Sequence, residues 1–330
     1  MSFAVILTAV VAFGVTVLLG LLLIPVLRRL KFGQSILEEG PSWHKSKQGT
    51  PTMGGIMFIV GIVVAVVAGY LLLAANGSAF KGTLELTQLF GGLVMALLFG
   101  LVGFIDDYIK VVKKRNLGLT AWQKIIGQVL VTALYLAALY AAGGRSTIIN
   151  VPFLGQWDLG FLYYPILGIL IIGIVNSVNL TDGIDGLCSS VTFVAAVFFM
   201  IVSAYVGQLG MSVLSTALAA GCVGFLVFNA HPAKVFMGDT GSLFLGGMVV
   251  ALGFGMNMEF ILFFAGFVYC CESLSVILQV ISFKTTGKRI FKMSPIHHHF
   301  EMSGFSENKI VLLFSGVTLL MCAIGFFAFV

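Results

Sequence analysis

The sequence predicts an all-α integral membrane protein, a bundle of about ten transmembrane helices. Three observations carry this expectation. Of the 330 residues, 59% are hydrophobic and only 9% are charged, whereas a soluble domain carries about 25% charged residues. Apolar runs of about 18 residues or more recur along the chain, each long enough to cross roughly 30 Å of hydrocarbon as a helix. The lysines and arginines also segregate: with ten spans, all of them except Lys81 and Arg145 fall in loops that share one side.

The spans are expected near 4–27, 53–75, 88–105, 121–142, 161–177, 186–205, 212–229, 241–257, 259–282 and 308–329. The first ends in Arg28 and Arg29 and is too long for a signal-peptide core, so it reads as a retained span. Only the stretch Asn257 to Glu259 divides the eighth from the ninth, and a nine-span chain would place its C-terminus on the other side. The positive-inside rule makes the basic loops cytoplasmic and puts both termini on the extracytoplasmic face. The outward loop 143–160 holds Gly143, Gly144, Pro152 and Gly155 among β-branched residues, which fits a short hairpin. With neither an internal repeat nor a low-complexity linker, residues 1–330 read as a single polytopic domain. The net charge of +5 describes one face and is expected from topology and lipid headgroups alone. Cys188, Cys222, Cys270, Cys271 and Cys322 lie in or at the ends of apolar segments without CxxC spacing, which supports neither zinc nor a disulfide framework.

The acidic residues carry more information. Every aspartate except Asp158 sits at the end of a span or in a loop on the basic side. Carboxylates at a membrane boundary are costly unless paired, metal-bound or hydrated. Asp106 and Asp107 follow the third span, and neighbouring side chains on a helix diverge by about 100°, so they make a poor bidentate clamp. One is expected to face the site while the other holds a lysine or a helix end, with Lys110, Lys113 and Lys114 near enough to supply the cation. A solvated acidic cap is the bland alternative.

The segment Asn176 to Gly186 joins two spans and contains Asn176, Asn179, Asp182 and Asp185. These are ordinary turn formers, yet two acids and two amides at this density also suit a hard cation such as Mg²⁺. No EF-hand ligand series is present. The segment Val235 to Leu243 places Gly238 and Asp239 ahead of the eighth span, where a close backbone approach and a helix N-terminus favour phosphate. It is not a P-loop. Phe236 there could stack on a base, although an interfacial anchor is the commoner role. In the last basic loop, His297, His298 and His299 project in different directions, which argues against zinc and suits phosphate. The run is internal, so it is no purification tag. Glu272 lies inside the ninth span and must be paired or face a cavity. Hard-metal ligands, cations and phosphate donors on one face of a lipid-embedded scaffold suit phosphoryl transfer to or from a lipid.

These motifs, in this order, resemble the polyprenyl-phosphate N-acetylhexosamine-1-phosphate transferase superfamily, and within it the phospho-N-acetylmuramoyl-pentapeptide transferase family. The resemblance rests on Lys47 to Gly55 (KQGTPTMGG), Asp106-Asp107-Tyr108, Asn179 to Leu187 (NLTDGIDGL), Phe236 to Leu243 (FMGDTGSL) and Ser294 to Glu301 (SPIHHHFE). It implies an Mg²⁺-dependent enzyme of the bacterial cytoplasmic membrane, a homodimer without nucleic-acid partners. Phospho-MurNAc-pentapeptide passes from UDP-MurNAc-pentapeptide to undecaprenyl phosphate, giving lipid I and UMP for peptidoglycan synthesis. By the same resemblance Asp239 and Asp182 hold the metal, Asp106 holds or deprotonates the lipid phosphate, and Asp107 and His298 join the catalytic group. Phe236 stacks on uracil with Asn179, Asp185, Asn229 and Gly238 around the nucleoside. Lys47, Lys114, His297 and His299 engage phosphates or sugar, and a groove between helices admits the prenyl chain. Direct in-line attack and a covalent aspartyl-phosphate route both stay open. Two rivals are a sister transferase using UDP-GlcNAc and a cation-coupled transporter, though a transporter would want midplane acids and internal repeats. A scaffold without catalysis leaves the carboxylates unexplained.

Overall fold

The computed structural model describes residues 3–30, 47–77, 82–112 and 118–329. Among them, ten helices are long and apolar enough to cross a membrane: α1 (Phe3–Arg29), α2 (Gly55–Ala75), α3 (Thr83–Val111), α4 (Ala121–Ala141), α5 (Gly160–Thr181), α6 (Leu187–Tyr205), α7 (Leu209–Asn229), α8 (Gly238–Gly255), α9 (Phe267–Thr286) and α10 (Glu307–Phe329). Helices of this kind satisfy every backbone polar group internally, which lipid requires of a spanning segment. The chain is therefore an all-α integral membrane protein.

Helix α8 is the hub, with 89% of its residues buried against 28% of the most apolar 18-residue stretch of α1, α9 and α10. Its glycines make that position accessible. A Cβ on Gly247 would lie 2.7 Å from the Ala96 Cα of α3, and one on Gly246 would lie 2.7 Å from the Val175 Cα of α5. Such small residues let helix backbones approach where lipid offers no hydrophobic drive for association. Exposed Leu, Val, Ile and Phe side chains on the outer helices, Leu18, Leu21 and Leu312 among them, face the lipid.

Several boundaries differ from the sequence expectation. Helix α3 begins at Thr83, contains a π-helical turn at Thr87–Gly91 and runs on past Asp106 and Asp107, so these acids lie within its last turns, not after it. Asp106 is ion-paired there and Asp107 accepts hydrogen bonds from the start of α8, which offsets the cost of carrying acids on the span. Helix α5 likewise continues to Thr181 and carries Asn176 and Asn179, which the sequence alone suggested as turn residues. The ninth span starts at Phe267, not at 259. The stretch 259–265 instead forms a 3-10 turn (Glu259–Ile261) and a short helical turn (Leu262–Ala265) that ends at Gly266. Glu259 is buried and accepts a 2.8 Å hydrogen bond from the Tyr163 hydroxyl, which ties this turn to the start of α5. The expected hairpin is present as β1 (Ile148–Val151) and β2 (Gly155–Asp158), antiparallel with Ile148 opposite Asp158.

The ends of the spans meet at one face. The loop before α2 pairs with the segment before α8 through Phe236 N to Pro51 O (2.8 Å), Gly54 N to Phe236 O (2.8 Å) and Gly55 N to Met237 O (3.0 Å). Asn229, at the end of α7, spends its whole amide on backbone: Oδ1 accepts from Gly186 N (3.2 Å) and Nδ2 donates to Val235 O (3.0 Å). The motifs scattered through the sequence are thus stitched together main chain to main chain.

Candidate active site

The N-terminus of α8 sits at the centre of that face. Its own N-cap residue, Met237, offers no capping side chain. Asp107 of α3 supplies one from outside, accepting from Asp239 N (3.2 Å), Thr240 N (2.9 Å) and Thr240 Oγ1 (2.7 Å). A carboxylate at a helix N-terminus satisfies orphan amides and meets the positive end of the dipole. Gly238 makes the approach possible. Its φ is +72°, and a Cβ would stand 2.5 Å from Asp107 Oδ2. Gly103 serves the same contact, since a Cβ there would collide with the Asp239 carbonyl.

Asp239 is thereby aimed at a polar pocket. Its Oδ1 accepts from Asn179 Nδ2 (2.9 Å), and that amide also donates to Ser242 Oγ (2.7 Å). Its Oδ2 lies 3.1 Å from Lys110 Nζ and 2.6 Å from Lys124 Nζ. The same two ammonium groups reach Asp106 Oδ2 at 2.6 and 3.2 Å, while Asp106 Oδ1 accepts from Leu119 N at 2.7 Å. Lys124 is held at the start of α4, where Thr120 and Gln123 form a reciprocal capping box. Asp106 and Asp107 therefore divide their work: one faces the lysines and the other holds a helix end.

One carboxylate oxygen from each of Asp106, Asp107 and Asp239 lies within 4.8 Å of the others. Asp106 Oδ2 has its lysine ion pairs but no well-aligned hydrogen bond. Three hard oxygen donors with spare acceptor capacity fit a hydrated hard cation, which takes one or two carboxylates and keeps its waters. Asp182, at the end of α5, is outside this trio but feels it. Burial first, and then the charges of Asp239, Asp107 and Asp185, push its carboxyl up to about 8. A divalent cation among these groups would lower it again.

The other expected residues form two groups beside the pocket. Lys47 is paired with Asp185 and Glu307, each at 2.7 Å. Asp185 Oδ2 also accepts from Ala233 N (2.9 Å) and lies 3.0 Å from His231 Nδ1. On the short helix Ile296–Glu301, the histidines do not all point apart as the sequence suggests: the His297 and His298 rings lie against each other, with centroids 4.1 Å apart. His297 is fully buried, with Nδ1 3.0 Å from Glu272 Oε1, and this gives Glu272 the partner its position demands. The His297 ring packs on Gly183, where a Cβ would collide with Nε2. His298 Nδ1 lies 2.6 Å from Glu301, and His299 Nδ1 accepts from Lys292 N at 3.1 Å. Phe236 is half-buried beside Gly238. Lys114 lies outside the described residues.

Lys124, Thr240 and Glu307 were not singled out from sequence. The capping box ahead of Lys124 was readable, since Thr120 and Gln123 have the right spacing. Nothing local marks Thr240 or Glu307, because their partners are remote in the chain.

Comparison with known proteins gives the family. Residues 89–257 match the family described as "Glycosyl transferase family 4". Residues 47–59 match "Phospho-N-acetylmuramoyl-pentapeptide-transferase signature 1". The phospho-N-acetylmuramoyl-pentapeptide-transferase of Heliobacterium modesticaldum is 50% identical over 96% of this chain and 95% of its own length. The protein of the same name from Bacillus subtilis is 47% identical over 97% and 96%, and that from Desulforamulus reducens 49% over 97% and 94%. At this identity and coverage, the chain belongs to the phospho-N-acetylmuramoyl-pentapeptide-transferase family.

Proposed function

We propose that the protein transfers phospho-MurNAc-pentapeptide from UDP-MurNAc-pentapeptide to undecaprenyl phosphate, forming lipid I and releasing UMP. The observation that carries this reading is the pocket at the α8 N-terminus, where Asp239 and Asp106 face Lys110 and Lys124. In the reaction, an oxygen of the lipid phosphate bonds to the phosphorus that carries the sugar. The bond from that phosphorus to the oxygen bridging it to UMP breaks, and UMP leaves with the electron pair. Catalysis of this kind is chiefly positioning and charge neutralisation.

Asp239 and Asp106 would hold Mg²⁺, with Asp182 close enough to respond to it. When bound, the ion supplies neutralisation of the diphosphate. Lys110 and Lys124, now shared between two carboxylates, are placed to follow phosphate charge as it arrives. Asp106 accepts or steers the proton of the lipid phosphate. Asp107 works through the backbone, since both of its oxygens accept from the first turn of α8. Asn179 orients Asp239 instead of touching the nucleoside, and Asn229 shapes the loop around Phe236 from within. The charge bias of the loops supports a cytoplasmic position for this face, with both termini outside a bacterial inner membrane. Family resemblance adds a homodimer.

Two experiments test the reading. Purified protein in detergent is expected to make a lipid-linked product from UDP-MurNAc-pentapeptide and not from UDP-GlcNAc; turnover of UDP-GlcNAc alone would reassign it to a sister transferase. Phe236→Ala is expected to raise the donor KM by about tenfold, in keeping with stacking of about 1–3 kcal/mol, and to leave the lipid KM unaltered. An unchanged donor KM would count against base stacking.

A further inference from the structure

Four segments distant in sequence meet at a largely buried ion cluster beside the carboxylate pocket. Lys47 precedes α2, Asp185 shares a turn with Asp182, His231 follows α7 and Glu307 opens α10. Glu307 Oε2 accepts from Lys47 Nζ (2.7 Å) and from Asp185 N (2.9 Å). Its Oε1 lies 3.5 Å from His231 Nδ1. Asp185 takes Lys47 on one oxygen and Ala233 N and His231 on the other. Asp185, His231 and Glu307 are close enough together to hold a metal; as Lys110 and Lys124 do between Asp106 and Asp239, the Lys47 ammonium stands between the two carboxylates.

We propose that Glu307 is a positioning residue for the nucleotide donor, acting through Lys47 and the backbone of the 182–186 turn. The inference rests on the proposed function and on the family resemblance, which implies Lys47 at the donor phosphates or sugar and Asp185 beside the nucleoside. A lysine chain is long and flexible, and one carboxylate fixes its ammonium in distance but not in direction. Two carboxylates at 2.7 Å fix both. Glu307 also bonds the Asp185 amide, which no other side chain in the cluster does. It therefore sets the separation between the loop bearing Lys47 and the turn bearing Asp182 and Asp185. Glu307 is only 8% exposed, so its position is fixed by these contacts and not by water. It is a structural element of α10 lending geometry to motifs more than a hundred residues earlier in the chain.

Glu307→Gln tests this, because the amide keeps the shape and an acceptor oxygen while losing the charge. The Lys47–Asp185 pair remains to hold the fold. The donor KM is expected to rise about five- to fiftyfold, with the lipid KM and the saturated kcat within about threefold of wild type. In a Lys47→Met background the same change is expected to add clearly less than it does in the wild type, since one of the two partners it acts through is gone and only the Asp185 amide remains. A purely structural role would instead lower kcat and weaken both substrates together. Glu307→Asp, which keeps the charge on a shorter arm, is expected to fall between wild type and Gln, and serves if the Gln variant does not fold. UDP binding by calorimetry gives an independent readout, and Glu307→Gln should weaken it by the same factor. Wild-type turnover with an unchanged donor KM in Glu307→Gln, or multiplicative effects in the double variant, overturns this inference alone. A wild type that neither turns over nor binds UDP overturns the proposed function and this inference with it.

Discussion

Asp239→Asn is expected to abolish turnover while the protein still folds. The substitution is isosteric and leaves the backbone amide that donates to Asp107 in place. The new side chain can still accept from Asn179 with its oxygen. Its amide nitrogen, however, would then face Lys110 and Lys124, which now lie 3.1 and 2.6 Å from a carboxylate oxygen. One negative charge is lost from the group that would hold Mg²⁺, and two ammonium groups are left to Asp106. Loss of a metal ligand and misplacement of two phosphate-facing cations together should cost on the order of a thousandfold or more in kcat. Unchanged thermal unfolding alongside lost activity is the expected result. Retained Mg²⁺-dependent turnover would defeat the assignment of Asp239.

Asp107 separates into two effects. In Asp107→Ala, the amides of Asp239 and Thr240 and the Thr240 hydroxyl lose their acceptor. A missing N-cap costs about 0.5–2 kcal/mol, and each buried donor left unpaired adds about 1–3 kcal/mol unless water reaches it. The alanine variant is therefore expected to melt several degrees lower and to lose nearly all activity. Asp107→Asn keeps one acceptor oxygen for Thr240 while removing the charge that meets the helix dipole. It should unfold close to wild type and lose about a hundredfold in kcat, because Asp239 is no longer presented at the same height. Full activity in the alanine variant would show that α8 needs no cap from α3.

The sequence disclosed the architecture well because lipid imposes simple rules. Long apolar runs reported the spans, Phe3–Arg29 and Glu307–Phe329 almost to the residue, and the aspartates pointed to one working face. The helix ends were harder. Asp106, Asp107 and Asn179 look like loop residues by composition, yet each lies on a helix because a partner from another segment compensates its polarity. The stretch after Asn257 read as the start of a span, and only the buried Glu259–Tyr163 bond and the break at Gly266 show why the span begins later.

The residue types of the site were legible too, and their immediate duties were not. Asn229, Asn179, Lys47 and Asp185 carry motif chemistry, but in the structure they spend it on each other and on backbone. Pairings such as Lys47 with Glu307 span most of the chain, and no local pattern encodes them. The motifs identified what gathers at the face; tertiary contact decides which side chains point into the pocket and which hold those that do.

The most direct test of the central claim is metal dependence of the transfer itself. Purified protein would be mixed with undecaprenyl phosphate and UDP-MurNAc-pentapeptide, and UMP and lipid-linked product measured before EDTA, after EDTA and after restoring Mg²⁺. The account requires both products to vanish together with EDTA and return together with Mg²⁺. Product formation that continues undiminished without a divalent cation would contradict it, and the pocket of Asp106, Asp107 and Asp239 would then have to work through its lysines alone.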